Sequence, residues 1–169
     1  ISNADFKKIK KKAVVNNPEI IFPLPKDLAG CRTEMRINPK YNKVTPIIEL
    51  DAPEGYGLDD RFSEARGKFG EFSVPCSTGN KEACTYAVKV ILDWAKAGAA
   101  KRIGPNDEEG KYWNDTLTVN LFIASPMMAA YSFAKQVINV PDEDDKIIKD
   151  WFKKIVKKNQ HLMYGKIYD

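Results

Sequence analysis

Three cysteines and one histidine are the residues in this chain most able to do metal or redox chemistry, and their spacing narrows what they can do. Cys31, Cys76 and Cys84 contain no Cys-x-x-Cys pair, and His161 lies far along the chain from all of them. A zinc site needs about four such ligands brought together, usually in closely spaced pairs. No metal site and no cofactor are therefore expected. One disulfide with one buried thiol is the natural alternative, and a disulfide implies an oxidising compartment. His161 stands in Asn159-Gln160-His161, just after Lys157 and Lys158. A lone histidine in that setting reads as a surface or helix-end residue. The glycines of Gly55-Tyr56-Gly57 and Gly104-Pro105-Asn106 follow no strand, so they read as turns and not as phosphate loops.

Charge points to the class of partner. The 169 residues carry 27 Lys+Arg against 23 Asp+Glu, a net charge of +4. A mildly basic surface favours nucleic acid, anionic lipid or an acidic glycan, although a solvated lysine-rich surface accounts for it equally well. The lysines of 146–158 are interleaved with Asp144, Asp145 and Asp150, and no recognition motif accompanies them. Nucleic acid is therefore not expected as a partner. The most apolar stretch, 121–140, is broken by Ser125, Pro126, Ser132, Lys135, Gln136 and Asn139. It falls short of the ~20 apolar residues a membrane helix needs and reads as a buried helix. No signal peptide is visible, and a start at Ile1 instead of Met is expected where a leader has been processed away or the start has been trimmed.

The elements that must position any site divide the chain in two. Residues 1–57 form an irregular N-terminal arm, because Pro18, Pro23, Pro25, Pro39, Pro46 and Pro53 recur too often for long helices. Within it, 37–53 is polar and holds Lys40-Tyr41-Asn42-Lys43. A loop of that length in a compact domain usually serves as a lid or a binding loop. Residues 58–169 turn helical. Asp59 or Asp60 caps a helix to about Ser73, with Phe62, Ala65, Phe69 and Phe72 on one face and Pro75 ending it. Thr78 or Asn80 caps a second helix to Ala97 or Gly98, with Ala83, Ala87, Val90, Ile91, Trp94 and Ala95 as its apolar stripe. A third is predicted over 113–137, kinked at Pro126. A fourth opens at Pro141-Asp142, its stripe running Ile147, Ile148, Trp151, Phe152, Ile155 and Val156. No convincing strand pair is visible. The class is all-α, in antiparallel helical hairpins joined by short loops.

One segment is distinctive. The run Ala83-Cys84-Thr85-Tyr86-Ala87-Val88-Lys89-Val90-Ile91-Leu92-Asp93-Trp94-Ala95-Lys96-Ala97-Gly98-Ala99 resembles the alginate lyase family, in which a cysteine helix ends in a Trp-Ala-Lys-Ala sequence. The order of flanking elements is similar over roughly residues 20 to 160, but only Cys84 to Ala99 is specific. The resemblance implies an (α/α) toroid of helical hairpins around a deep cleft, of which this chain is the N-terminal half. It implies a periplasmic or secreted bacterial enzyme acting on an acidic polysaccharide. It also implies a disulfide between the arm and the cysteine helix, which here is Cys31 with Cys84. Closing a loop of about 50 residues in that way stabilises by ~4 kcal/mol on the chain-entropy account. Cys76 has no counterpart in the family and is either a buried thiol or a competitor for Cys84.

The implied chemistry is β-elimination from a uronate chain. A cation or an amide must neutralise the substrate carboxylate, so that the neighbouring C5 proton becomes acidic. A base removes that proton and an acid protonates the departing O4. Tyrosine suits either transfer where cations lie beside it. The family carries a basic residue followed by Tyr on a lid loop, and Lys40-Tyr41 matches it. By resemblance, Tyr41 is the catalytic lid tyrosine and Lys40 a substrate-carboxylate contact; Arg36, just before them, is a further candidate contact, and Trp113, next to Tyr112 at the start of the third helix, either stacks on sugar or packs into the core. The family's central Asn-His pair does not occur in the 169 residues. The expectation is therefore a chain that is inactive alone and works with a C-terminal half or another subunit. The alternative is a non-catalytic acidic-glycan-binding or assembly module on the same scaffold.

Overall fold

A computed structural model describes residues 23–50, 60–100, 102–103 and 126–164. Among these the protein is built from four helices: α1 (Asp60–Ser77), α2 (Lys81–Ala97), α3 (Met128–Val137) and α4 (Asp142–Tyr164). The all-α expectation holds. One addition is a two-residue parallel pairing of β1 (Glu49–Leu50) with β2 (Arg102–Ile103), which joins the arm to the segment after α2.

Helix α2 is the centre, packing against α1, α3 and α4. Its boundaries follow local chemistry. The Asn80 side chain accepts a hydrogen bond from the Ala83 N–H at 2.9 Å, satisfying a first-turn donor. Gly98 ends the helix in the left-handed region at φ 62°, which glycine enters without strain. Of the stripe read from sequence, Ala83, Ala87, Val90, Ile91 and Trp94 are buried and Ala95 is half-buried, while Cys84 and Val88 are buried beside them.

Helix α1 departs from expectation at its end. Its apolar face is Phe62, Ala65, Phe69 and Phe72, as the spacing predicts, but the helix runs through Pro75 to Ser77. Proline forfeits one backbone bond in a helix interior. Here the site falls in the last turn and Pro75 is buried. Its carbonyl accepts from the N–H groups of Thr78 and Asn80, both at 3.1 Å, which closes the turn into α2.

The predicted third helix falls partly outside the described residues, as its half before Pro126 does. At Pro126–Met127 the chain makes a π-type turn and then enters α3, and the near side of the kink expected at Pro126 lies outside the described residues. Helix α4 begins with Asp142, Glu143, Asp144 and Asp145, four acids at the positive end of its dipole. It buries Ile148, Trp151, Phe152 and Ile155, and it continues past Asn159 to Tyr164. The Trp151 indole N–H donates to the Ala99 carbonyl at 2.9 Å, tying α4 to the end of α2. Among the described residues no helix is long and apolar enough to cross a membrane.

The described part of the arm, 23–50, is a strap laid over these helices and fixed at intervals. Arg32 donates to the Glu71 carboxylate at 2.9 Å and to the Gly70 carbonyl at 2.8 Å. The Asn80 amide donates to the Thr33 carbonyl at 2.9 Å, and the Asn42 amide to the Lys68 carbonyl at 3.1 Å. The fully buried Trp94 donates its indole N–H to the Val44 carbonyl at 3.1 Å. Ala100 donates its N–H to the Ile47 carbonyl at 2.9 Å, while Val44 and Ile47 are themselves buried.

The disulfide differs from the one that the resemblance implies. Cys76 pairs with Cys84, Cα–Cα 4.5 Å, and Cys31 is free and exposed, so the Cys31–Cys84 pairing and the buried spare thiol are both corrected. The reason lies in the extension of α1. Carrying the helix through Pro75 sets Cys76 in its final turn, and the tight Thr78–Gly79–Asn80 connection brings it against Cys84 in the first turn of α2. Side-chain and backbone hydrogen bonds hold the arm in place of the missing bridge.

Candidate functional site

The arm and α2 enclose a cleft of about 540 Å³. Its floor is apolar, from Val44 of the arm, Phe72 of α1 and Val90 of α2. Its arm-side wall is Pro39, Lys40, Asn42, Lys43, Thr45 and Pro46. Its helix-side wall is Tyr86, Lys89 and Asp93, one turn apart along α2. The rings of Tyr86 and Phe72 are stacked, with centroids 5.8 Å apart and planes inclined by 27°.

The loop holding Lys40 is shaped locally. Asn38 accepts the Lys40 N–H on its side chain at 2.9 Å and the Tyr41 N–H on its backbone carbonyl at 3.1 Å. This is an Asx turn within a β-turn, and Pro39 at its second position has its φ already set. The two strap bonds that follow, from Asn42 to α1 and from Trp94 to Val44, fix the loop's far side. A short turn anchored to two helices thus presents Lys40 and Lys43 to the cleft.

Three lysines against one aspartate leave the cleft cationic. Among the described residues Lys40, Lys43, Lys89 and Asp93 enter no ion pair. All four are exposed at the rim, above the apolar floor. Uncommitted like charges around a concave surface focus the field on an incoming anion. An apolar floor with a few polar groups is the usual composition of a ligand pocket.

The residues singled out from sequence fare differently. Lys40 lines the cleft. Tyr41, next to it, does not, and stands 80% exposed. Arg36 is exposed on the arm and is not part of the lining. Trp113 lies outside the described residues, as does Tyr112. His161 falls near the end of the α4 backbone. Lys43, Tyr86, Lys89 and Asp93 were not anticipated as site residues. The signal for them was available: positions 86, 89 and 93 flank the apolar stripe of α2, at helical spacing, within the segment that carries the family resemblance.

A second charged cluster sits between α3 and α4, and its groups are committed to one another. The Asp145 carboxylate accepts from the Tyr131 hydroxyl, from Lys135 at 2.8 Å and from Lys149 at 2.8 Å. Burial pushes the Asp145 carboxyl upward, but the bonds from Lys135, Lys149 and Tyr131 and the charge of Lys135 outweigh it. The result is a carboxyl lowered from 3.8 to about 2. With its partners so engaged, Asp145 works as a clamp between two helices.

No family model, no curated protein and no solved structure matches the chain.

Proposed function

We propose that this chain is part of a secreted or periplasmic polysaccharide lyase that cleaves alginate by β-elimination, and that the lysine-lined cleft is where it engages the polyuronate. The observation that carries the reading is the meeting of Lys40 with Lys43 and Lys89 over an apolar floor. A uronate unit brings one carboxylate and an apolar ring face, and the cleft offers cations and aromatic surface for both. In this reading the four helices belong to an (α/α) toroid of helical hairpins, and the strap is the element that reaches over the substrate. Lysine ammonium groups around the carboxylate draw off charge as the C5 proton leaves. In this reading Tyr41, exposed on the Asn38 turn beside Lys40, is the proton-transfer group.

The test is lyase turnover of polymannuronate by the complete enzyme, followed through the absorbance of the unsaturated product. Tyr41→Phe is expected to lower kcat at least a hundredfold, the usual contribution of a proton-transfer group being ~10²–10⁴. Its melting temperature should hardly change, since the side chain is 80% exposed. An unaltered rate removes Tyr41 from the site.

A second reading is a non-catalytic acidic-glycan-binding module. It is favoured by one observation: among the described residues the cleft lining holds no histidine, and the phenol it does hold, Tyr86, is packed against Phe72. In that case polymannuronate binds the chain and its intact assembly but is never converted to unsaturated product.

A further inference from the structure

Asp93 sits on the wall of a cleft that otherwise presents Lys40, Lys43 and Lys89. For a site that recognised negative charge alone, this carboxylate would be a defect. It repels every anion that enters, and no ion pair among the described residues draws it away from the cleft. It is also one helical turn from Lys89, so the two share a face of α2 and project toward the same space. A carboxylate accepts hydrogen bonds and cannot donate them when ionised. It is useful only to a ligand carrying donors beside its negative charge.

Resting on the reading of the cleft as a polyuronate site, we propose that Asp93 is its specificity-determining residue. It selects a hydroxyl-bearing uronate over polyanions that offer acceptors alone. The three lysines take the sugar carboxylate, and Asp93 accepts hydrogen bonds from ring hydroxyls on the same unit. Tyr86, backed by Phe72 at 5.8 Å between ring centroids, meets the apolar face of the pyranose. Phosphate-chain polymers have neither hydroxyl donors nor a flat C–H face. They gain the lysines and suffer Asp93. Discrimination of this kind works by repulsion as well as attraction.

The experiment titrates the full chain with a mannuronate oligomer and with inorganic polyphosphate at one ionic strength, comparing wild type, Asp93→Asn and Lys40→Ala. The wild type is expected to bind the uronate and to bind polyphosphate more weakly. Asp93→Asn keeps the side chain's shape and removes its charge at an exposed position. It should bind the uronate about twofold more weakly, because the roughly tenfold loss of one charge-assisted bond is partly offset by relief of the same like charge. It should bind polyphosphate about fivefold more tightly, the relief of one like charge at the edge of water. Lys40→Ala should weaken both. If wild type binds the uronate, Lys40→Ala weakens it, and Asp93→Asn leaves the preference unchanged, the role of Asp93 is overturned while the cleft's assignment stands. If wild type binds neither ligand, or Lys40→Ala changes nothing, the cleft's assignment falls and takes this inference with it.

Discussion

Lowering the pH should unfasten α4 from α3 by protonating a single carboxyl. Asp145 receives the Tyr131 hydroxyl and the ammonium groups of Lys135 and Lys149, the latter two at 2.8 Å, and its side chain is only 17% exposed. Its carboxyl is lowered from 3.8 to about 2. The sign follows from linkage. A carboxyl held lower in the folded state than in the unfolded chain contributes stability fully above the unfolded value, and that stability is lost as pH falls toward the folded one. The window is therefore about pH 4 down to pH 2. The gap between 3.8 and about 2 is just under two pH units. At ~1.4 kcal/mol for each, it amounts to roughly 2 kcal/mol. In a protein of this size that is worth roughly 4 to 8 °C in Tm. The assay is thermal unfolding by circular dichroism at half-unit steps from pH 7 to pH 2, for wild type and Asp145→Asn. At neutral pH the variant should be less stable by about 2 kcal/mol. Between pH 4 and pH 2 the wild-type curve should fall toward that of the variant, which lacks the titrating group. Parallel curves through that window would refute the reasoning, because Asp145 would then gain nothing from its partners on folding.

Further outcomes follow from the strap and the sulfur pairing. Peptide mapping without reductant should recover Cys76 and Cys84 as one linked species, with Cys31 alkylated on its own. Cys76→Ser together with Cys84→Ser should cost about 2.5 kcal/mol for so short a loop, read by urea denaturation. Recovery of a Cys31–Cys84 peptide would contradict the pairing. Trp94→Phe removes the donor to the Val44 carbonyl while keeping an aromatic in the core. It should cost roughly 2 to 3 kcal/mol from one orphaned buried acceptor and some lost volume. It should also raise trypsin cleavage after Lys40 and Lys43, and unchanged cleavage would mean that the bond does not hold the loop.

How far the sequence carried can be judged residue by residue. The helices with clean stripes were legible, because burial against a core imposes a period near 3.6 that α1, α2 and α4 all show. The ends of α2 were legible too, since Asn80 and Gly98 meet local demands that need no tertiary partner. The end of α1 was not. A proline normally marks a stop because it removes one helical donor, yet burial of Pro75 and Cys76, with the Thr78 and Asn80 N–H groups on the Pro75 carbonyl, carries the helix on. That one turn decides which sulfurs meet, which is why the disulfide implied by resemblance failed. For the site, Lys40 was found because it sits in a short motif on a polar loop. Tyr86, Lys89 and Asp93 were overlooked because they are ordinary flank residues of a helix until the strap crosses beside them. The crossing depends on long-range bonds, Trp94 to Val44 and Asn42 to Lys68, which no local pattern in the sequence encodes.

The claim on which the rest depends is that a polyuronate chain lies in the cleft between the strap and α2. Amide chemical-shift mapping of the chain during titration with an oligomannuronate tests it directly. The account expects saturable shifts concentrated on 39–46 and on 86–93, reduced by added salt and abolished in a Lys40→Ala/Lys43→Ala/Lys89→Ala variant that remains folded. Shifts scattered over the lysines of α4, or none at concentrations where the triple variant behaves like the wild type, would contradict it.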